Sequence, residues 1–355
     1  MKRFGDLWPQ VVGFDALWRA SRKARRGKRL RPDVAEFEYH LERNLWRLHD
    51  ELLDHRYQPG AFHTFRIFDP KERWISAAPY RDRVVHHALT AVLEQVFEPS
   101  FIHDSYACRR GRGVHAAARR AEHFARRSSW VLKLDIRQYF PSVDHQILAS
   151  LLERKVRDPD VLWLVDTVLR NHDYPEQSPV WFPGDSLLTP LERTRGLPIG
   201  NQTSQFFSNV YLNPLDHFVL QELKPVGYVR YADDLLVFGR SRDEVRELRE
   251  GVIEYLQRLR LRPHPRKSEY FPVKQGIPFV GFRIHPGRIR LARAGVRRFR
   301  RRARRMQRLF AEGSISFEQI RQRLVSWTSH AAFGASHQWC EALLAGVVFR
   351  RGDSR

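Results

Sequence analysis

Two adjacent carboxylates, Asp233 and Asp234, close the string Tyr231-Ala232-Asp233-Asp234, with Tyr228, Val229 and Arg230 before it and Leu235, Leu236, Val237 and Phe238 after it. Two β-favouring arms around a short polar tip predict a β-hairpin that carries both acids at its turn. Neighbouring aspartates repel each other and form strands poorly, so either water solvates them at a surface turn or a divalent cation holds them. A third acid, Asp135, ends the apolar run in Val131-Leu132-Lys133-Leu134-Asp135-Ile136-Arg137-Gln138-Tyr139-Phe140. An acid there either caps its strand or supplies a second ligand. Two carboxylate-bearing strand ends can hold two cations about 3.5–4 Å apart, which activates an attacking hydroxyl and stabilises the leaving oxygen of an in-line displacement. Mg²⁺ is the expected ion, with Mn²⁺ as the alternative, because both suit hard oxygen ligands.

The flanking sequence must supply the elements that position these acids. Within residues 1–56, Phe37, His40, Leu41, Leu45, Leu48 and Leu52 fall roughly on one helical face, which predicts a helical N-terminal segment. From Tyr57 the texture changes to strand-like pieces, Phe62 to Phe68 and Trp74 to Ala77, around Asp69-Pro70-Lys71-Glu72. Lys71 and Arg73 there either clamp a triphosphate or decorate an ordinary charged turn. Arg81-Asp82-Arg83 leads into an apolar helix from Val84 to Phe97, and the stretch Ser105 to Gly113 mixes glycines with Arg109 and Arg112. That mixture suits a backbone that approaches phosphates, although it fits no P-loop pattern. Residues 171–195 read as a loop. Gly196-Leu197-Pro198-Ile199-Gly200-Asn201-Gln202-Thr203-Ser204-Gln205 then precedes an apolar helix from Phe206 to Leu220 with an interruption at Pro214. Its glycines suit a loop packed under a flat ligand such as a base pair.

Lys and Arg outnumber Asp and Glu by 62 to 40, for a net charge of +22, so a polyanion is the expected partner. Most of the basic residues are Arg, whose planar fork fits phosphate and stacks on bases, which favours nucleic acid over a membrane surface. The run from Arg288 to Arg308, with Phe299, Met306, Leu309 and Phe310 interspersed, suits a helix that tracks a duplex backbone. No apolar stretch approaches the length of a membrane span and no signal-peptide pattern opens the chain, so a cytoplasmic location is expected. Cys108 and Cys340 are too few and too distant for a zinc ribbon or a disulfide framework, and are expected to be packing residues.

Taken in order, these stretches resemble the reverse transcriptases over roughly residues 57–290. The Asp135 strand resembles motif A, the segment from Gly196 to Asn209 resembles motif B, and Tyr231-Ala232-Asp233-Asp234 resembles the motif C hairpin, which the family usually writes Tyr-x-Asp-Asp. Lys267, in Pro265-Arg266-Lys267-Ser268, resembles motif D, and Phe279-Val280-Gly281-Phe282 resembles the primer grip. The resemblance implies an α+β right-hand polymerase: an N-terminal helical segment over 1–56, fingers over 57–128, a ferredoxin-like palm over 129–285 that includes the loop 171–195 and motif B, and a helical basic thumb over 286–355. It implies RNA-templated DNA synthesis with two Mg²⁺ ions held by Asp135, the Ile136 backbone and Asp233, and with Asp234 in support. The implied nucleotide contacts are Lys71, Arg73, Phe140 as a steric gate against the 2′-hydroxyl, Ile199, Gly200 and Lys267. Arg109, Arg112, Phe279, Gly281, Arg301, Arg302, Arg304 and Arg305 are the implied contacts to template RNA and primer or cDNA.

One departure narrows the resemblance. Most of the family carries Pro-Gln-Gly in motif B, whereas this chain has Pro198-Ile199-Gly200 followed by Asn201-Gln202-Thr203-Ser204-Gln205. That string, with Asp82-Arg83-Val84-Val85-His86-His87-Ala88 and the short N-terminal region, is similar to the reverse transcriptases of diversity-generating retroelements. Membership there implies error-prone copying at template adenines and a ring-forming basic accessory protein. A reverse transcriptase of another bacterial lineage (retron, group II intron-like or phage-defence) and a catalytically idle RNA-binding scaffold are the alternatives.

Overall fold

A computed structural model of the chain describes residues 2–68, 72–171, 178–334 and 337–351. Contacts divide the chain into two compact units, each assembled from three stretches. The first comprises Met1–His103, Asp135–Leu223 and Glu250–Lys267, and the second Asp104–Leu134, Lys224–Arg249 and Ser268–Arg355. Helices and sheets mix along the chain, in keeping with the α+β expectation.

The first unit opens with helices α1 (Trp8–Val12), α2 (Phe14–Ala24), α3 (Pro32–Tyr39) and α4 (Leu41–Leu53). Leu17, Ala20 and Ala24 of α2, and Leu45, Leu48 and Leu52 of α4, recur at three- and four-residue spacing and are buried, so each helix turns one stripe inward. The single face expected from Phe37 to Leu52 is instead broken at His40, which is exposed at φ −116° and ψ 40°. The side chain of Asn44 donates to the Phe37 carbonyl at 2.9 Å, taking the acceptor that a continuing helix would offer to Leu41.

An antiparallel pair follows, β1 (His63–Ile67) and β2 (Arg73–Ala77), with His63 opposite Ala77 and Ile67 opposite Arg73. Helix α5 (Tyr80–Phe97) is sunk in the core of the first unit, where Val84, Val85, Leu89 and Leu93 are buried. Asp82 in its first turn is also buried, and accepts hydrogen bonds from the Tyr57 hydroxyl and the Gly60 amide, both at 2.8 Å. Burial still pushes its carboxyl above the ordinary range.

In the second unit helix α6 (Val114–Ala125) leads to strand β3 (Trp130–Ile136), and the chain crosses into the first unit after Leu134. There α7 (Tyr139–Ser142), α8 (His145–Glu153), α9 (Pro159–Arg170), the one-turn α10 (Thr189–Glu192) and α11 (Gln202–Phe218) follow. Helix α11 starts earlier than its apolar pattern and runs through Pro214 without interruption. A mid-helix proline costs about 3 kcal/mol, yet Phe206, Phe207, Val210, Tyr211, Leu212 and Leu215 are all buried, and that packing outweighs the lost bond.

Strands β4 (Gly227–Tyr231) and β5 (Asp234–Gly239) come next, then α12 (Arg242–Arg258) and β6 (Pro263–Pro272), and the sheet order is β4-β5-β3-β6. A second sheet of the second unit, β7 (Ile277–Phe279), β8 (Phe282–His285) and β9 (Arg288–Leu291), joins α6 in one core through Ala117, Ala118, Ala121, Phe238, Phe279 and Phe282. The basic run from Arg288 therefore begins as a strand, because Ile289 and Leu291 alternate with Arg288 and Arg290 at period two. Helix α13 (Arg293–Ala311) buries Phe299, Ala303 and Met306, and Phe299 stacks at 3.6 Å on Trp327 of α14 (Phe317–Ala331), before α15 (His337–Ala345). Ser316 and Gln319 close a capping box at the start of α14. Cys340 packs inside as expected, whereas Cys108 is exposed at a turn with φ 55°. Among the described residues no helix is long and apolar enough to cross a membrane.

Burial on α5 gives the fold a pH dependence. His86 is enclosed and its pKa is lowered to about 3, while His87 is lowered to about 4, in both cases chiefly by burial. Each histidine stays neutral in the native state but charges near pH 6.5 when unfolded. The unfolded chain thus binds more protons in this window: stability is full above pH 6.5 and falls by about 1.4 kcal/mol per pH unit for each histidine as the pH drops toward 4. Urea denaturation between pH 7 and 4.5 should show this loss, and His86→Phe should halve its slope. An unchanged slope would mean that His86 is protonated in the native state.

Candidate active site

The hairpin forms as its sequence requires. Strands β4 and β5 are antiparallel with Tyr231 opposite Asp234, so Ala232 and Asp233 alone make the turn. Ala232 sits at φ 54°, a left-handed conformation that costs a non-glycine residue of order 1–3 kcal/mol and that collects at functional sites. Arg230, which is fully buried in an otherwise apolar strand, braces the turn by donating to the Ala232 carbonyl at 3.3 Å. The outer edge of β4 is covered by residues 104–106. The Arg230 amide donates to the Asp104 carbonyl at 2.9 Å, and the Tyr106 amide to the Arg230 carbonyl at 3.0 Å. Asp104 is itself gripped by both arms of Arg120, at 2.9 and 3.0 Å. Arg230 was missed as a site residue, though its signal is plain: a lone basic residue between Val229 and Tyr231.

Asp234 and Asp135 each meet a lysine. Asp234, the first residue of β5, accepts from Lys133 Nζ through both oxygens, at 2.8 and 2.7 Å. Both residues belong to the second unit. In the first unit, Lys267 of β6 donates to Asp135 Oδ2 at 2.7 Å. Lys267 thus stands beside a catalytic candidate, where sequence had placed it against a nucleotide. Asp233 is half-buried at the turn, and Ile136 is the last residue of β3, with its side chain inside. Carboxylate oxygens at Asp135 and Asp233 are the donor type Mg²⁺ takes, since that ion uses one or two carboxylates and completes its shell with water and phosphate. The ammonium on Asp135 shows that its charge is open to neutralisation by a cation. Among the described residues no cage of three or more His, Cys, Asp or Glu side chains exists, so substrate and solvent would have to supply the remaining ligands.

The motif B loop is fastened on two sides within the first unit. The Leu197 amide donates to the carbonyl of Phe140 at 2.8 Å, and the Ser76 amide to the carbonyl of Ile199 at 3.0 Å. The Asn201 amide group then bridges β2 and its exit, accepting from the Ala78 amide at 3.2 Å and donating to the Ser76 carbonyl at 2.9 Å. Gly200 lies at φ +117°, where a side chain would also come within 3.0 Å of Ile75, so only glycine fits. Phe140 and Ile199 are half-buried, and Arg73, at the start of β2, is exposed. Lys71 lies outside the described residues. Asn201, which the sequence offered only as part of a string, is the residue that ties the loop to β2.

The expected nucleic-acid contacts divide in two. Arg301, Arg302, Arg304 and Arg305 are all exposed on α13, outside the stripe of Phe299, Ala303 and Met306 that the helix buries. Gly281 is exposed at the β7–β8 turn at φ +90°. Phe279 is a correction: its ring is 2% exposed in the core of the second unit, so it supports the turn from beneath and has no face for a strand. Arg109 commits a guanidinium hydrogen bond to the Ser105 carbonyl at 2.8 Å, and Arg112 stacks 5.7 Å from the Tyr106 ring. Both hold their loop together.

A double-mutant cycle measures the lysine clamp on Asp234. Lys133→Met should cost about 1–3 kcal/mol by leaving a partly buried carboxylate without its donor, and Asp234→Asn should recover part of that cost. Additive effects in urea denaturation would show that the pair is not coupled.

The chain is 28% identical over 284 residues to Protein YkfC of Escherichia coli (strain K12), an alignment that covers 67% of this chain and 70% of YkfC. It is 27% identical over 184 residues to the Group II intron-encoded protein LtrA of Lactococcus lactis subsp. cremoris, covering 51% of this chain and 29% of LtrA. Among solved structures, apo telomerase from Candida Tropicalis truncated from its C-terminal domain is similar at a TM-score of 0.48 and 11% identity, over 65% of this chain and 55% of that one. The profile of the reverse transcriptase (RNA-dependent DNA polymerase) family matches residues 69–284, more than half of the chain and a span that holds Asp135, Ile199, Asp233 and Lys267; the chain belongs to that family and has its right-hand polymerase fold.

Proposed function

We propose that the chain copies a template RNA into DNA by nucleotidyl transfer, with Asp135, the Ile136 carbonyl and Asp233 as ligands of two divalent cations. The placement of Asp233 at a strained two-residue turn, with Asp234 committed to Lys133, is the observation that carries the assignment. When bound, such ions activate a primer hydroxyl and stabilise the leaving pyrophosphate. Phe140 acts as the gate against ribonucleotides, Arg73 and Lys71 reach the triphosphate, Ile199 and Gly200 lie under the nascent pair, and Lys267 exchanges Asp135 for the incoming nucleotide. The exposed arginines of α13 hold the duplex backbone, in a thumb over 286–355 that follows fingers over 57–128 and a palm over 129–285. Asp135→Ala or Asp233→Ala should therefore abolish primer extension while leaving RNA binding nearly intact, since affinity comes mainly from Arg contacts to phosphate. Substantial extension by either variant would refute the ligand assignment.

The finer reading is an error-prone enzyme of a diversity-generating retroelement, working with a ring-forming basic accessory protein. Ile199-Gly200-Asn201 followed by Ser204-Gln205 supports it. The name of LtrA supports a second reading, a group II intron-type enzyme. Fidelity separates them. Ile offers bulk but no hydrogen bond where the family usually has Gln, and one missing bond of about 0.5–1.5 kcal/mol raises errors only several-fold, so Ile199 must share the effect, with Arg73 as the candidate. Sequenced cDNA should show misincorporation concentrated at template adenines, partly suppressed in Ile199→Gln. A wild type accurate at every base would leave the intron-type reading.

A further inference from the structure

Five arginines of the first unit line one cavity that the proposed reaction does not use. Arg137, Arg193, Arg195, Arg260 and Arg262 surround about 550 Å³, with Phe182 in the wall. Three separate stretches bring them together: the end of β3, the segment before α11, and the turn that precedes β6. Two carboxylates serve the group. Asp144, fully buried, lies 3.2 Å from Arg193 Nε and 2.6 Å from Arg260 Nη1, and Asp185 accepts from Arg193 Nη2 at 2.5 Å. Asp144 also caps α8 by accepting from the Ile147 amide at 3.1 Å, so its oxygens are fully engaged.

Structure accounts for some of this charge but not all of it. Arg193, whose side chain is 4% exposed, is the scaffold, although its Nε has an ion-pair neighbour and no hydrogen-bond partner. Arg195 donates to the Ser178 carbonyl at 3.0 Å, and its pKa is lowered by burial and by the like charges of Arg193 and Arg262. Among the described residues, Arg137 and Arg262 make no side-chain hydrogen bond or ion pair, yet the Arg137 amide donates to the Arg262 carbonyl at 2.9 Å and fixes the two side by side. Five guanidinium groups against two carboxylates repel one another unless an anion enters. A guanidinium presents paired N–H donors that match phosphate oxygens, and several forks facing one space select a group with more than one negative charge.

We infer that this cavity is a phosphate-binding site, taking either a free polyphosphate such as pyrophosphate or the phosphates of an RNA strand. The inference does not rest on polymerisation, because binding needs neither metal nor turnover. Full-length protein without magnesium is titrated with inorganic pyrophosphate by calorimetry, and with a single-stranded RNA by fluorescence anisotropy across a salt series. Arg137→Gln and Arg262→Gln are tested singly and together; both side chains are exposed, so melting curves should match the wild type, and Arg262→Lys retains charge without the fork. If the source is small, the double variant weakens pyrophosphate binding at least tenfold and Arg262→Lys lies between. If the source is a strand, the log-log salt slope for RNA falls by about 0.7 for each phosphate that the variant no longer neutralises. Absent or unaltered pyrophosphate binding together with an unchanged RNA slope overturns the inference.

Discussion

Register in one hairpin is the constraint on which the chemistry of this chain depends. Side chains in a strand alternate faces, so a slip of one residue between β4 and β5 would turn Asp234 away from Lys133 and set the apolar Leu235 on its face instead. Two features prevent the slip. Residues 104–106 bond both polar groups of Arg230 and close the edge of β4, and the Arg230 guanidinium reaches forward to the carbonyl that precedes Asp233. A buried charge costs several kcal/mol in desolvation, so an arginine inside an apolar strand is retained for what it holds. Here it holds the strained residue at the turn.

Neutralisation of the acids follows one rule with two different results. Lysine is a compact point charge on a flexible stem, which makes it an exchangeable counter-ion in a way that a bidentate arginine is not. Asp234 gives both oxygens to Lys133, whereas the pair at Asp135 occupies Oδ2 only. Asp234 and Asp135 therefore differ in how far their charge is committed inside the protein. Asp234 is neutralised inside the protein through both oxygens, whereas Lys267 takes one oxygen of Asp135.

Local signals in the sequence were the legible ones. The hairpin, the β1–β2 pair, α5 and the outward arginines of α13 each follow from periodicity over a few residues, and each formed where periodicity placed it. The failures involve partners that periodicity does not register, most of them distant in the chain. Helix α11 runs through Pro214 because its buried face has somewhere to pack, which composition cannot show. The break at His40 depends on a side chain four residues later, and Phe279 reads as an exposed aromatic until β8 and α6 enclose it. Lys133, Lys267 and Asn201 carry no local mark of their roles, since their partners lie between 101 and 132 residues away.

The excess of positive charge is built in two ways, with different consequences. On α13, apolar residues at three- and four-residue spacing force the intervening arginines outward, where water screens them and their repulsion is small. In the cavity around Arg193 the arginines come from separate segments and lie close together, so the fold itself bears the repulsion. A ligand that binds only the folded state stabilises it by mass action, and the gain is larger where it also removes repulsion already present. Phosphate on α13 would therefore add affinity, whereas phosphate in the cavity would in addition tighten the contacts among the end of β3, the segment before α11 and the turn before β6. The same charge that attracts the nucleic acid would then consolidate the part of the first unit from which Asp135 projects.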